Sequence, residues 1–216
     1  MGIVIAGGHG QIALRLERLL TDEAVGIVRN PAHVADVEAT GARAVLLDLE
    51  GATAEQVAEV VRGADAVVFA AGAGPGSGAA RKDTVDRAAS VLLADAAEQA
   101  GIRRFVQISS LGAGTPPGPG ADDTWAAYLR AKTAAEADLR ARDLDWVILR
   151  PGGLTDDPGT GRVTLTTGST GRGMVTRDDV AAVTAALLRE PAVRRVTLEL
   201  IGGRTPIADA VAAIRG

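Results

Sequence analysis

The chain has 216 residues, 47% of them hydrophobic, no cysteine, and a net charge of −4 spread along its length. That makes one globular unit with a sizeable core, and it excludes disulfides, thiol nucleophiles and thiolate metal centres. Two histidines, His9 and His33, are too few for a typical zinc site, no basic tract invites nucleic acid, and no apolar run is long enough to span a membrane. With no signal-peptide pattern at the start, the expected location is cytoplasmic.

Read in chain order, strands alternate with amphipathic helices, the pattern of an α/β fold built on a doubly wound parallel sheet of Rossmann type. Strands are expected near residues 2–6, 25–28, 43–47, 65–70, 102–109 and 145–149, and helices near 10–21, 31–40, 53–62, 83–100 and 122–142. The first helix carries Ile12, Leu16, Leu19 and Leu20 on one face; the third is capped by Thr53 and presents Val57, Val60 and Val61. After Pro151 the pattern loosens into Gly- and Thr-rich sequence, followed by a helix near 178–189, a strand near 195–201 and a helix near 206–214. Residues 1–216 are expected to form one nucleotide-binding domain, with residues 151–216 a small lobe over the carboxyl edge of the sheet.

The first strand runs directly into Gly7-Gly8-His9-Gly10-Gln11-Ile12-Ala13, where a helix begins. A strand that turns on glycine and restarts as a helix aims backbone N–H groups and the positive end of the helix dipole at one point, which suits a pyrophosphate. Gly7 permits the tight turn, Gly10 a close approach of backbone to phosphate, and Ala13 close packing of helix on strand. The second strand ends in Arg29-Asn30 rather than in a carboxylate. An acidic residue there would bind the ribose 2′-hydroxyl of NAD, whereas arginine pairs with a 2′-phosphate, so Arg29 argues for NADP(H) over NAD(H). Asn30 and Pro31 form a helix cap and first position.

Tyr128, the only tyrosine, and Lys132 stand four residues apart, so phenol and ammonium share a helix face. A neighbouring ammonium favours the phenolate and eases proton transfer from the phenol. Ser109 and Ser110 close the fifth strand, at the edge where a cofactor lies, and either hydroxyl could steady a carbonyl oxygen or merely begin a turn.

With cradle, Arg29, paired serines and Tyr-x-x-x-Lys in this order, the whole chain resembles the atypical short-chain dehydrogenase/reductases, among the small bacterial NAD(P)H-binding, NmrA-like and epimerase-like proteins. Arg150-Pro151-Gly152-Gly153 and Arg177-Asp178-Asp179-Val180-Ala181 carry the same resemblance. The resemblance implies that Asp48 and Leu49 face the adenine and that Ala70, Ala71 and Gly72 run along the cofactor. It implies further that Lys132 holds the nicotinamide ribose and that Pro151-Gly152 passes the nicotinamide. It points to Ser110 as the working hydroxyl while keeping Ser109 in play, and it leaves His9 either touching a phosphate or tolerating the turn. The implied activity is an NADP(H)-dependent oxidoreductase on a small carbonyl or alcohol; an epimerase or dehydratase, or a non-catalytic redox sensor, are the alternatives. Two segments depart from the family pattern: Gly72 to Gly78, where many dehydrogenases carry an asparagine, and the Gly- and Pro-rich Gly112 to Gly120, either a substrate lid or a plain connection. The long helices could pair across a homodimer or pack within a monomer.

Overall fold

The first six strands are short, largely apolar runs, and the helices between them lay apolar faces on the sheet. The computed structural model describes residues 1–72, 74, 81–116 and 122–214. The strands are β1 (Ile3–Ala6), β2 (Ala24–Val28), β3 (Arg43–Leu46), β4 (Ala66–Phe69), β5 (Arg104–Ile108), β6 (Asp145–Pro151), β7 (Gly153–Thr155), β8 (Arg162–Thr166), β9 (Met174–Thr176), β10 (Val196–Gly202) and β11 (Thr205–Pro206). The helices are α1 (Gln11–Leu20), α2 (Val34–Glu38), α3 (Ala54–Val61), α4 (Ala89–Gln99), α5 (Asp123–Arg140), α6 (Arg177–Leu188) and α7 (Ile207–Ala213).

Among the described residues the main sheet has nine strands in the order β11-β8-β10-β6-β5-β4-β1-β2-β3. The run from β3 to β10 is parallel, and β8 and β11 join as antiparallel strands. This is the doubly wound Rossmann arrangement, with the reversal of strand order, and therefore the ligand crevice, between β1 and β4. Side chains alternate across the sheet: Ile3 and Ile5 of β1 pack in a core with α1 and α6, while Val4 and Ala6 pack on the opposite face with α3, α4 and α5.

Several elements differ from expectation. The helix expected at 31–40 opens with a 3₁₀ turn at Pro31–His33, where the Asn30 side chain accepts from Ala32 N–H at 3.0 Å, and continues as α2. The one expected at 83–100 begins as a π-helical segment, Lys82–Ala88, before α4. The segment after Pro151 supplies β8, β10 and β11 to the main sheet, and β7 and β9 form a separate parallel pair. The alternation Val163/Leu165 among threonines carried the signal for β8; β7 and β9 are three residues each and too short to signal. The Thr53 capping box with Gln56 forms as expected.

On α1, Leu19 is half exposed, and Glu17 takes an interior place, fully buried beneath the cradle. A methyl group on Gly26 would come within 2.5 Å of Glu17 Oε1, and one on Gly8 within 3.0 Å, so both glycines make room for the carboxyl. Neither Glu17 oxygen has a hydrogen-bond partner among the described residues, because the Thr40 hydroxyl spends its hydrogen on the Val37 carbonyl at 2.6 Å. Burial pushes the Glu17 carboxyl up to about 8. The folded chain therefore holds a proton that the unfolded chain releases near pH 4.5, and its contribution to stability is lost as pH rises from there to about 8. Glu17→Gln is expected to flatten the stability–pH curve over this window by about 4–5 kcal/mol. Urea melts at stepped pH measure this, and an unchanged slope would remove Glu17 from the titration.

Candidate functional site

The crevice at the carboxyl ends of β1 and β4 is lined by Gly7, His9, Gly10, Val28, Arg29, His33, Asp48, Leu49, Glu50, Ala70, Ala71, Gly72 and Arg81. Gly7 adopts φ +84°, and a methyl group there would meet Ala71 Cα at 2.6 Å, so the turn admits only glycine. Two of the expected phosphate donors are already spent: Gly8 N–H donates to Ile27 O at 2.9 Å and Gly10 N–H to Gly7 O at 2.8 Å. The first N–H to bond back within α1 is that of Leu14, to Gly10 O at 2.9 Å. Helix geometry thus leaves the first-turn N–H groups of Gln11 and Ile12 for an anion. The Gln11 side chain turns along α1, accepting from Arg15 at 2.9 Å.

His9 is clasped rather than free. Its Nε2 lies 2.8 Å from Asp36 Oδ2, and its ring stacks on His33 with centroids 3.6 Å apart. Nothing in the sequence spacing announced this pairing of the chain's two histidines.

At the far end of the crevice Arg29 is half exposed and donates to Glu50 at 3.0 Å. Arg81 donates to the same carboxylate at 2.9 Å, and so does the Thr84 hydroxyl at 2.7 Å. Two guanidiniums thus converge on one carboxylate, beside Asp48 and Leu49. Sequence reading missed Glu50, in the turn after β3, and Arg81, at the head of the π-helical segment.

The Tyr128–Lys132 pair sits on α5 as the spacing requires. Lys132 is almost entirely buried, and its Nζ lies 5.7 Å from the Tyr128 ring centroid and 5.7 Å from that of Phe69 on β4. The ammonium donates to Ile108 O at the end of β5 (3.2 Å) and pairs with Asp86 Oδ1 at 3.2 Å. Asp86 is fully buried and projects from the π-helical segment, an irregularity frequent at functional sites. The sequence reading found no assisting side chain after β4 and overlooked Asp86, because a lone aspartate on a helix carries no signal.

The two serines separate clearly. Ser109 is buried and donates to Glu136 Oε1 at 2.6 Å. Glu136, also fully buried, is clamped by Arg150 through two guanidinium nitrogens and by Arg140 at 2.7 Å. The arginine of the Arg-Pro-Gly motif therefore neutralises a carboxylate on α5 and ties it to β6. Ser110 is only partly buried, and its hydroxyl donates to the neighbouring Leu111 carbonyl at 3.3 Å. Pro151 accepts from Leu111 N–H at 2.8 Å, which joins the β6 end to the same turn, and Gly152 packs against Gly173 and Ile201, outside the lining of the β1–β4 crevice.

The Arg-Asp-Asp-Val-Ala motif opens α6. Asp179 accepts from the N–H groups of Thr160 and Gly161 (3.0 and 2.8 Å), and Asp178 from Gly159 N–H at 3.1 Å and Arg15 Nε at 2.6 Å. These bonds fasten the loop before β8 to α6 and α1. Of the Gly72 to Gly78 loop only Gly72 and Gly74 are described, and of the Gly112 to Gly120 segment residues 117–120 lie outside the described residues. Among the described residues no cluster of His, Cys, Asp and Glu could hold a metal, and no helix is long and apolar enough to cross a membrane.

A glycine cradle at the switch point of a doubly wound sheet defines a Rossmann-type nucleotide-binding protein. The chain belongs to the NAD(P)H-binding family, whose model matches residues 7–191. It is 37% identical over 215 residues to the uncharacterized sugar epimerase YhfK of Bacillus subtilis, with 98% of this chain and 99% of that protein covered. A solved Bacillus halodurans protein named for the NAD-dependent epimerase/dehydratases superposes with a TM-score of 0.91 at 33% identity, covering 99% of both chains. The oxidoreductase ylbE of Lactococcus lactis superposes at 0.85 with 27% identity, over 99% of this chain and 96% of its own. By name these relatives are a sugar epimerase, an NAD-dependent epimerase/dehydratase and an oxidoreductase.

Because the Ser109 hydroxyl donates to a buried carboxylate, Ser109→Ala is expected to lower the unfolding free energy by about 1.5–3 kcal/mol, and Ser110→Ala by under about 0.5 kcal/mol. Denaturant melts of both variants check the difference, and equal losses would contradict the assignment of Ser109 to the Glu136 network.

Proposed function

We propose that the protein is an NADP(H)-dependent oxidoreductase acting on a small carbonyl or alcohol substrate. The observation that carries this reading is the buried Lys132 ammonium, fixed to Asp86 and the β5 terminus and 5.7 Å from the Tyr128 ring, beside the switch-point crevice of an NAD(P)H-binding fold. A dihydronicotinamide bound in that crevice supplies hydride. Tyr128 gives its phenolic proton to the carbonyl oxygen in the reductive direction and takes it back in the oxidative one. Lys132 is ion-paired with Asp86 and donates one N–H to Ile108 O, and an N–H remains to reach a ribose hydroxyl. Its charge favours the phenolate that forms when Tyr128 has given up its proton.

Ser110 is the hydroxyl assigned to the substrate oxygen, since Ser109 is committed to Glu136. Gln11 and Ile12 N–H groups receive the pyrophosphate at the positive end of α1. Asp48 and Leu49 receive the adenine, Ala70, Ala71 and Gly72 flank the cofactor, and Pro151 and Gly152 border the nicotinamide. Arg29 reads the 2′-phosphate, helped by Arg81 across Glu50, which supports NADP(H) over NAD(H).

Tyr128→Phe is expected to keep NADPH affinity within about twofold while lowering turnover of a carbonyl by roughly 10²-fold or more. Steady-state NADPH oxidation across a carbonyl panel measures it, and undiminished turnover would take Tyr128 out of the mechanism. Arg29→Ala is expected to weaken NADPH by about 1.5–3 kcal/mol and leave NADH unchanged. Calorimetric titration with both nucleotides decides this, equal weakening being the contrary result.

A further inference from the structure

The chain has five aromatic side chains: two Trp, two Phe and one Tyr. Phe69 and Phe105 are fully buried and Trp146 nearly so. The remaining two meet at the start of α5, where the Trp125 and Tyr128 rings stack with centroids 5.3 Å apart at 30°. Trp125 nevertheless stays 48% exposed. Its backbone is fixed, because Asp122 caps the helix by accepting from Trp125 N–H at 3.0 Å. Phe69, the Lys132 ammonium, Tyr128 and Trp125 thus form one continuous series from the floor of the sheet to solvent.

Leaving half an indole in water forfeits hydrophobic stabilisation that a folding role would have claimed. An exposed π face stacked beside the proton donor favours a flat ring over a saturated ring of the same volume, because offset stacking needs two planar partners. A substrate stacked there and reacting at Tyr128 must carry its carbonyl directly on, and in the plane of, that ring.

We propose that Trp125 is the substrate platform and that the substrate is a carbonyl compound conjugated to a planar ring, an inference that rests on the oxidoreductase reading above. In the step, the carbonyl carbon gains the hydride, its π electrons pass to oxygen, and that oxygen takes the Tyr128 proton. The conjugated carbonyl becomes an alcohol, NADPH becomes NADP⁺, and Tyr128 recovers its proton from solvent.

The test compares 2-naphthaldehyde with its fully saturated decalin counterpart, alongside binding of 2-naphthoate to the NADP⁺-loaded full chain, in wild type, Trp125→Ala and Trp125→Phe. The wild type should prefer the aromatic aldehyde by about tenfold or more in kcat/KM. Trp125→Ala should lose about that factor, mainly through KM, on the aromatic aldehyde alone, with Trp125→Phe recovering most of it. Naphthoate binding should weaken in parallel while NADPH affinity stays constant. Equal turnover of both aldehydes, or naphthoate binding indifferent to Trp125, overturns the substrate class and leaves the oxidoreductase reading standing. Trp125-dependent binding of naphthoate with no turnover of any carbonyl supports the aromatic platform and overturns the oxidoreductase reading.

Discussion

The Lys132 ammonium is the interaction on which the rest of the site depends. An ammonium this deeply buried persists as a charge only where partners replace the water it has lost, and here Asp86 and the Ile108 carbonyl do so. To supply them, three elements must meet: the π-helical turn after β4, the end of β5, and the third turn of α5. The π geometry brings Asp86 inward, and β5 ends so that its last carbonyl points at the ammonium. Tyr128, one turn earlier on α5, then stands over a charge already locked in place, so the proposed proton transfer needs little rearrangement.

A second buried network sits beside the first and keeps it in register. Glu136, one turn after Lys132, is gripped by Ser109, Arg140 and Arg150, and thereby ties α5 to both β5 and β6. Losing Arg150 would strip the buried Glu136, on the helix that carries Tyr128 and Lys132, of its bidentate partner. The two adjacent serines therefore divide their work: one hydroxyl braces the scaffold and the other stands at the turn next to the proposed chemistry. At the nucleotide end, Glu50 arranges Arg29 and Arg81 in a comparable way, in more exposed surroundings where each pair contributes less.

Period and punctuation made most of the sheet legible from sequence. The apolar runs of β1 to β6, the glycine turn after β1 and the cap residues Asn30 and Thr53 are local signals, and they lie where they were expected. The Tyr128–Lys132 pairing was legible for the same reason, since four residues on a helix fix a shared face. What escaped was long-range: Asp86 beneath Lys132, Glu50 between two arginines, the stacked His9 and His33, and Glu17 beneath the cradle. Each owes its place to elements distant in sequence, and a single charged residue in a helix reads as solvated until the fold buries it. The short β7 and β9 escaped because three residues cannot establish a period, and the spent N–H groups of Gly8 and Gly10 depend on tertiary carbonyl positions.

The most direct test of the central claim is a crystal structure of the protein with NADP⁺ bound. The account predicts the pyrophosphate on the N–H groups that open α1, the 2′-phosphate at Arg29, and nicotinamide C4 on the Tyr128 side of the ring, with Lys132 on the ribose. A nicotinamide ring turned away from Tyr128, or a nucleotide bound elsewhere on the molecule, would contradict it.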